Sequence, residues 1–406
     1  MAKTQQIKGF ENQFVNYSGL TIDDQYAIFY VISTEDEETM AALNIQDGIL
    51  KYDFVNQTSQ FFAYEQRVNY YESRTFANDD VVYYVFLEWE NRDATFKIYQ
   101  LDCHGMQSEL VFKLTLQDSV AKSPDVSALR RTEFYGINRR YLIVGVPELD
   151  PFSKKQNSGF SHYLLIDIEG KKSYPIPEAI GNHDRIVHLS YIDVFEHEGR
   201  EYLMIDTGRI GVSEKHELWE RYGFEMIEGV KMQSVVVIPL DTFVSKVKNK
   251  QPIDQSYILS QCNQSSGLAH SSVRGSIIYV YKHHFLNNSS ELLEYNLSTG
   301  QAQNHAYQET YDRLFTSDRY LYGVKRSNRN ELIDLKSGEK LFSCDPTTEI
   351  RWANETYIIV HEYQPEQGAM QLRLYNFQTK KLNNAVTGQY PSFNFIPSAD
   401  LIIFSG

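Results

Sequence analysis

Four histidines crowd one stretch of the chain, His183, His188, His197 and His216, with Asp184 and Asp193 among them. Imidazoles beside carboxylates can ligate a metal or relay a proton. The spacing argues against a metal, because it matches no His-Glu-x-x-His arrangement and places His183 and His188 on opposite faces of a strand. His283-His284 reads as a polar loop following a strand. The run Ser265-Ser266-Gly267-Leu268-Ala269-His270-Ser271-Ser272 pairs serines with a histidine. It lacks the G-x-S-x-G elbow that aims a nucleophile, so it reads as the entry to an inner strand. Asp24, Asp80, Asp318 and Asp400 could pass for the paired carboxylates of a glycosidase. They recur at equivalent places in one repeated segment, which makes turn residues of them. No glycine-rich phosphate loop and no Cys-x-x-Cys pair occurs, and neither cofactor nor metal is expected.

A binding site is drawn instead from residues 208–231, expected to be an insertion between strands. Ser213 suits an N-cap, the run to Tyr222 favours a short helix, and Gly223 would end it. His216, Trp219, Arg221 and Tyr222 are the residue types that anchor interfaces. The plainer alternative is that Leu218, Trp219 and Tyr222 only dock the insertion onto the blade.

The elements that would position these residues come from internal repetition. A polar turn running into an apolar strand appears eight times. Examples are Asp23-Asp24-Gln25-Tyr26-Ala27-Ile28-Phe29, Gly199-Arg200-Glu201-Tyr202-Leu203-Met204-Ile205 and Asn354-Glu355-Thr356-Tyr357-Ile358-Ile359-Val360. A second segment follows most copies: a strand, Asp or Asn, one apolar residue, then a short turn. Leu332-Ile333-Asp334-Leu335-Lys336-Ser337-Gly338 is the clearest, with looser versions at Leu43–Gly48 and Gln100–Gly105. Asp or Asn closes such a turn with its own side chain, and Gly supplies the positive φ.

Copies recur roughly 37 to 74 residues apart, a range that brackets the blade period of propellers. The expected fold is all-β: a single β-propeller over residues 1–406, of eight blades or else seven. The last blade would be closed by strands from both chain ends, about Ser392–Phe395 and Asp400–Phe404 with the stretch Thr4–Tyr17. The Asp334–Gly338 turn resembles the D-x-x-S/T-G hairpin of the WD40-like, YVTN-like and PQQ-like propeller repeats. That resemblance implies architecture, and no function comes with it.

The composition agrees. Of 406 residues 14% are aromatic, with 29 Tyr and 23 Phe, which fit the pleated surface of a strand. The formal net charge is −14, with no basic patch to offset it, so nucleic acid is not expected as a partner. Lys246, Lys248 and Lys250 read as a solvated turn in a polar connector. The acidic run Glu35–Glu38 reads as a solvated hairpin tip. The first residues show no apolar leader, no apolar run could cross a membrane, and Cys103, Cys262 and Cys344 lack paired spacing. A cytoplasmic protein with free thiols is the expectation.

Two functions follow. The first is a non-enzymatic module binding a protein or peptide through the decorated face. The second is an enzyme, or a binder of small ligands or glycans, with its site at the mouth of the central channel. Residues for the second would come from inner strands of several blades: Arg74, Tyr135, Tyr191, His270, Arg313 and Arg351. Charged groups with displaced pKa values meeting at one place would favour the second reading. A broad apolar surface would favour the first.

Overall fold

The repeated apolar runs become strands buried on both faces. In Tyr26–Ser33, Ala27 and Phe29 pack with Leu401 and Ile403, while Ile28 turns to Val82 and Tyr84. In Arg200–Thr207, Leu203 and Ile205 join the cluster holding Ile137 and Ile143, and Met204 joins the one holding Val280. Side chains alternate across a strand, so a strand lying between two neighbouring sheets must be apolar at every position. This is why the second strand of each repeat is the most legible.

The computed structural model describes residues 3–7, 13–33, 40, 46–64, 73–78, 81–90, 93–116, 132–147, 161–177, 189–207, 233–262, 266–284, 286–317, 319–364, 369–388, 392–396 and 401–405. The fold is an eight-bladed β-propeller, and the eight-blade expectation holds. Seven blades are four-stranded meanders in chain order, at residues 13–63, 73–116, 133–175, 189–262, 266–307, 313–344 and 348–388, numbered blades 1 to 7. Blade 8 has three described strands. Ser392–Ile396 pairs antiparallel with Leu401–Ser405, and Lys3–Ile7 pairs with Leu401–Ser405 in parallel. Both chain ends therefore close the last blade. The N-terminal contribution is narrower than Thr4–Tyr17, because Gln13–Ile22 is already the first strand of blade 1.

Contacts divide the chain into two compact units. One comprises residues 1–86, 99–109 and 311–406, hence blades 1, 6, 7 and 8 and part of blade 2. Its core runs from sheet to sheet: Ile7 and Ile396 pack with Val15 and Leu50, Ile359 and Leu372 with Ile402 and Phe404, and Val324 with Ile350. The other comprises residues 87–98 and 110–310, with blades 3, 4 and 5.

The Asp/Asn turn signature does what its chemistry dictates. Asp334 accepts from the Lys336 amide at 2.9 Å and the Ser337 hydroxyl at 2.8 Å, with Gly338 at φ 74°. Asp102 accepts from the Gly105 amide at 2.9 Å, Asp167 from the Gly170 amide at 2.9 Å and Asn376 from the Thr379 amide at 2.9 Å. In blade 1 the part is played by Asp53, which accepts from the Val55 and Asn56 amides. Asn44, expected there, lies outside the described residues. Asp24 sits in a turn at φ 49°.

One element overturns an expectation. Lys246 and Lys248 are in no solvated turn, since they end an α-helix, Leu240–Lys248, and only Lys250 lies in the exposed turn that follows it. Its buried residues Leu240, Phe243, Val244 and Val247 follow the i, i+3, i+4, i+7 stripe and pack on the core of blades 3 and 4. Lys248 reaches back to the Asp167 carboxylate at 2.7 Å. Among the described residues no helix is long and apolar enough to cross a membrane.

Candidate functional site

All six positions picked from the sequence lie on the first strand of a blade, from Arg74 in blade 2 to Arg351 in blade 7. Arg74 is in Ser73–Asn78, opposite Val85. The insertion 208–231, with His216, Trp219, Arg221 and Tyr222, lies outside the described residues, as do His183, His188 and Asp184. His283 and His284 end strand Ile277–His284 and are not in a loop. Among the described residues no group of three or more His, Cys, Asp or Glu is placed to hold a metal. The three cysteines are free.

The richest chemistry gathers where blade 4 meets blade 5. The strands Leu189–His197 and Arg200–Thr207 pair with a bulge between Leu189 and Tyr191, which sets Tyr191 opposite Asp206 and Asp193 opposite Met204. Residues two apart on one strand share a face, so Tyr191, Asp193 and Asp206 look the same way. Met204 shows which way that is, since it packs with Val273 and Val280 of blade 5. From blade 5 the Ser271 hydroxyl donates to Asp206 Oδ2. The joint is further held by the Leu268 amide, which donates to Gln233 Oε1 at 2.8 Å.

Burial removes these carboxyls from water and disfavours their charged form. Asp206, 4% exposed, is pushed up to about 7 by that burial and by the nearby Asp193 charge, against the hydrogen bond from Ser271. Asp193 is also raised, chiefly by burial, although Tyr191 and Arg274 pull the other way. The Tyr191 hydroxyl is driven up by burial and by Asp193, to which it hydrogen-bonds. His270 falls to about 4, through burial and then the Arg274 charge, so its imidazole is neutral at physiological pH. The group thus holds an exchangeable proton near neutrality, the property general acids and bases share. Tyr191 remains 42% exposed and gives the cluster its outward face.

The other positions fall elsewhere. In blade 3 the Tyr135 hydroxyl donates to the Leu189 carbonyl at 2.7 Å and lies 3.0 Å from Glu133 Oε2, a tie to the start of blade 4. In blades 6 and 7, Arg313 and Arg351 meet at one carboxylate, Glu349. Sequence reasoning missed Asp193 as a functional carboxyl, and Asp206, Arg326 and Glu349 altogether. For Asp206 a signal existed: a lone carboxylate closing the apolar run Tyr202–Ile205 in a strand buried on both faces.

The topology makes this chain a β-propeller, and comparison with known proteins goes no further. No family model matches the sequence, and no curated protein matches it. Among solved structures, an uncharacterized protein of Listeria monocytogenes is similar at 8% identity, covering 97% of this chain and all of that one, with a TM-score of 0.47. Oligogalacturonate lyase of Vibrio parahaemolyticus is similar at 10% identity, over 93% and 91% of the two chains, TM-score 0.44. The β-propeller domain of the Trilobed protease of Pyrococcus furiosus is similar at 7%, over 90% and 94%, TM-score 0.42. No ligand or activity carries over from any of them.

Proposed function

We propose that this propeller binds a small, neutral, hydroxyl-bearing ligand, of the polyol or glycan class, at the joint of blades 4 and 5. The observation that carries this reading is the grouping of Tyr191, Asp193 and Asp206 on one face, with a proton held near neutrality. Carboxyl oxygens accept from ligand hydroxyls, a protonated carboxyl donates as well, and an exposed aromatic ring covers the apolar side of a sugar. Two carboxyls beside one arginine, Arg274, disfavour an anionic ligand.

The protein- or peptide-binding alternative rests on the insertion 208–231. Among the described residues, the large apolar side chains with open surface are Val55, Phe61, Leu110, Tyr191, Leu286 and Tyr363, spread over five blades. That spread supports the small-ligand reading over a docking face.

The test is a titration of neutral mono- and oligosaccharides and polyols followed by ligand-observed NMR, on the wild type and on Tyr191→Ala and Asp193→Asn. Saturable binding of one class, weakened about tenfold or more by either substitution, is the expected result. Absence of saturable binding by any of them, or binding that both variants retain in full, would overturn the reading.

A further inference from the structure

Blades 6 and 7 hold a concentration of positive charge at odds with a chain of net charge −14. Arg313 opens the first strand of blade 6, Arg313–Thr316, and Arg326 ends the second, Leu321–Arg326. Glu349 and Arg351 lie on the first strand of blade 7, Thr348–Ala353. There Ile350 pairs with Val360 and Trp352 with Ile359, so Arg351 is the extra residue of a bulge. Bulges re-aim a side chain, and this one points a guanidinium back at Glu349.

Three guanidiniums converge on that single carboxylate. Arg313 Nη2 is 2.7 Å and Arg326 Nη2 2.6 Å from Glu349 Oε1, and Arg351 Nη1 is 2.9 Å from Oε2. Burial would raise the Glu349 carboxyl, but the hydrogen bond from Arg351 and the charges of Arg313, Arg351 and Arg326 hold it below its ordinary value. It is therefore ionised and offsets one charge of three. Asp312 lies nearby and accepts from the Arg326 backbone amide at 3.0 Å, which leaves the group at least one positive charge in excess. His361, opposite Glu349 in the register, adds no charge at neutral pH, because burial and then Arg351 lower its pKa.

Among the described residues the donors are far from used up. Each guanidinium carries five N–H groups in a planar fork. Arg326 and Arg351 spend one each on Glu349, and Arg313 spends one there and one on the Ile350 carbonyl at 3.3 Å. The arginine side chains keep 32%, 45% and 41% of their surface open. Glu349 acts as a tether that holds mutually repelling cations together, the assembly needed before an oxyanion arrives. Tetrahedral phosphate, with several acceptor oxygens and up to two charges, matches converging forks better than a monovalent carboxylate does.

We propose that Arg313, Arg326 and Arg351, gathered by Glu349, form a binding site for the phosphate group of a small ligand. The proposal is independent of the function proposed for the blade 4–5 cluster. The test is calorimetric titration of inorganic phosphate into the full chain at low ionic strength, with acetate as the carboxylate arm. Saturable phosphate binding should weaken about tenfold in Arg351→Gln, which removes one of the three forks. Arg319→Gln, at an arginine 80% exposed and paired with Glu355, serves as the charge control and should bind as the wild type does. Among the described residues Arg351 hydrogen-bonds the Glu349 side chain and Arg313 also the Ile350 backbone, so replacing Arg351 keeps the test valid even where Arg313→Gln disturbs the fold. No saturable phosphate binding, acetate binding as tightly as phosphate, or equal loss in the Arg319 control would overturn the proposal.

Discussion

Lys248 Nζ lies 2.7 Å from Oδ2 of Asp167, a carboxylate whose side chain is only 3% exposed. The same ammonium sits 5.1 Å from the centre of the Tyr141 ring and 5.3 Å from that of Tyr174. Helix Leu240–Lys248 is thereby pinned to the closing turn of blade 3. Arg140 supplies a second cation at 3.2 Å, from a half-exposed position. Removing one partner of a buried pair leaves the other charge without compensation, at a cost of roughly 3–5 kcal/mol. Lys248→Met should lose about 2–4 kcal/mol, the lower figure reflecting Arg140. Urea midpoints at pH 7 measure it, and a loss below about 1 kcal/mol would show the pair to be ornamental.

The same pair predicts an acid limb. Burial alone would raise the Asp167 pKa, but Lys248, the Gly170 amide and Arg140 together bring it down to about 2. A carboxyl with a depressed folded pKa contributes stability above its unfolded value of about 3.9, and the contribution disappears as pH falls through about 2. The wild type should therefore lose more stability than Lys248→Met between pH 5 and pH 2.

Asp206 has the opposite sign. Its folded value near 7 exceeds the unfolded one, so the native state binds a proton that the unfolded chain releases. Its contribution is complete below about pH 4 and is lost as pH rises through about 7. In Asp206→Asn that slope should vanish, leaving the variant more stable relative to wild type at pH 8 than at pH 4.5, by a few kcal/mol at most. Asp193, also raised, chiefly by burial, keeps a slope of the same sign. Denaturation at the two pH values reads the difference, and parallel curves would refute the assignment.

Gly48 begins the third strand of blade 1, opposite Ala63. A Cβ placed there would lie 2.1 Å from the Phe62 carbonyl oxygen and 2.8 Å from the Phe61 ring. The oxygen belongs to backbone held in the sheet, so Gly48→Ala should cost about 2 kcal/mol or more. Gly199→Ala, in open space at φ 75°, carries only the left-handed backbone penalty of about 1 kcal/mol. Comparing the two melting temperatures separates crowding from backbone strain.

The blades were legible because a strand between two sheets cannot hide its composition: Ile28, Met204 and Ile359 are apolar like both their neighbours. The turns were legible because Asp334 and Asn376 act on amides two or three residues away. What stayed hidden depends on long separations. Asp206 acquires its chemistry from Ser271, and Arg313 from Glu349, through pairings that no local spacing encodes. The helix at Leu240 was missed for another reason. Pro239 ends the strand directly before it, and the lysines drew attention from the stripe of Phe243, Val244 and Val247.

The parallel register of Lys3 with Leu401 sets a timetable for the ribosome. Blade 8 cannot assemble until the strand Leu401–Ser405 has been made, roughly 20–80 s after Lys3 at 5–20 residues per second. Throughout that wait Ile7, buried in the finished molecule, has no partner strand, and the blade 1 surface formed by Ala27 and Phe29 waits for Leu401 and Ile403 to cover it. The nascent chain thus carries an unpaired apolar edge between the making of these two strands, the interval in which chaperone engagement matters most.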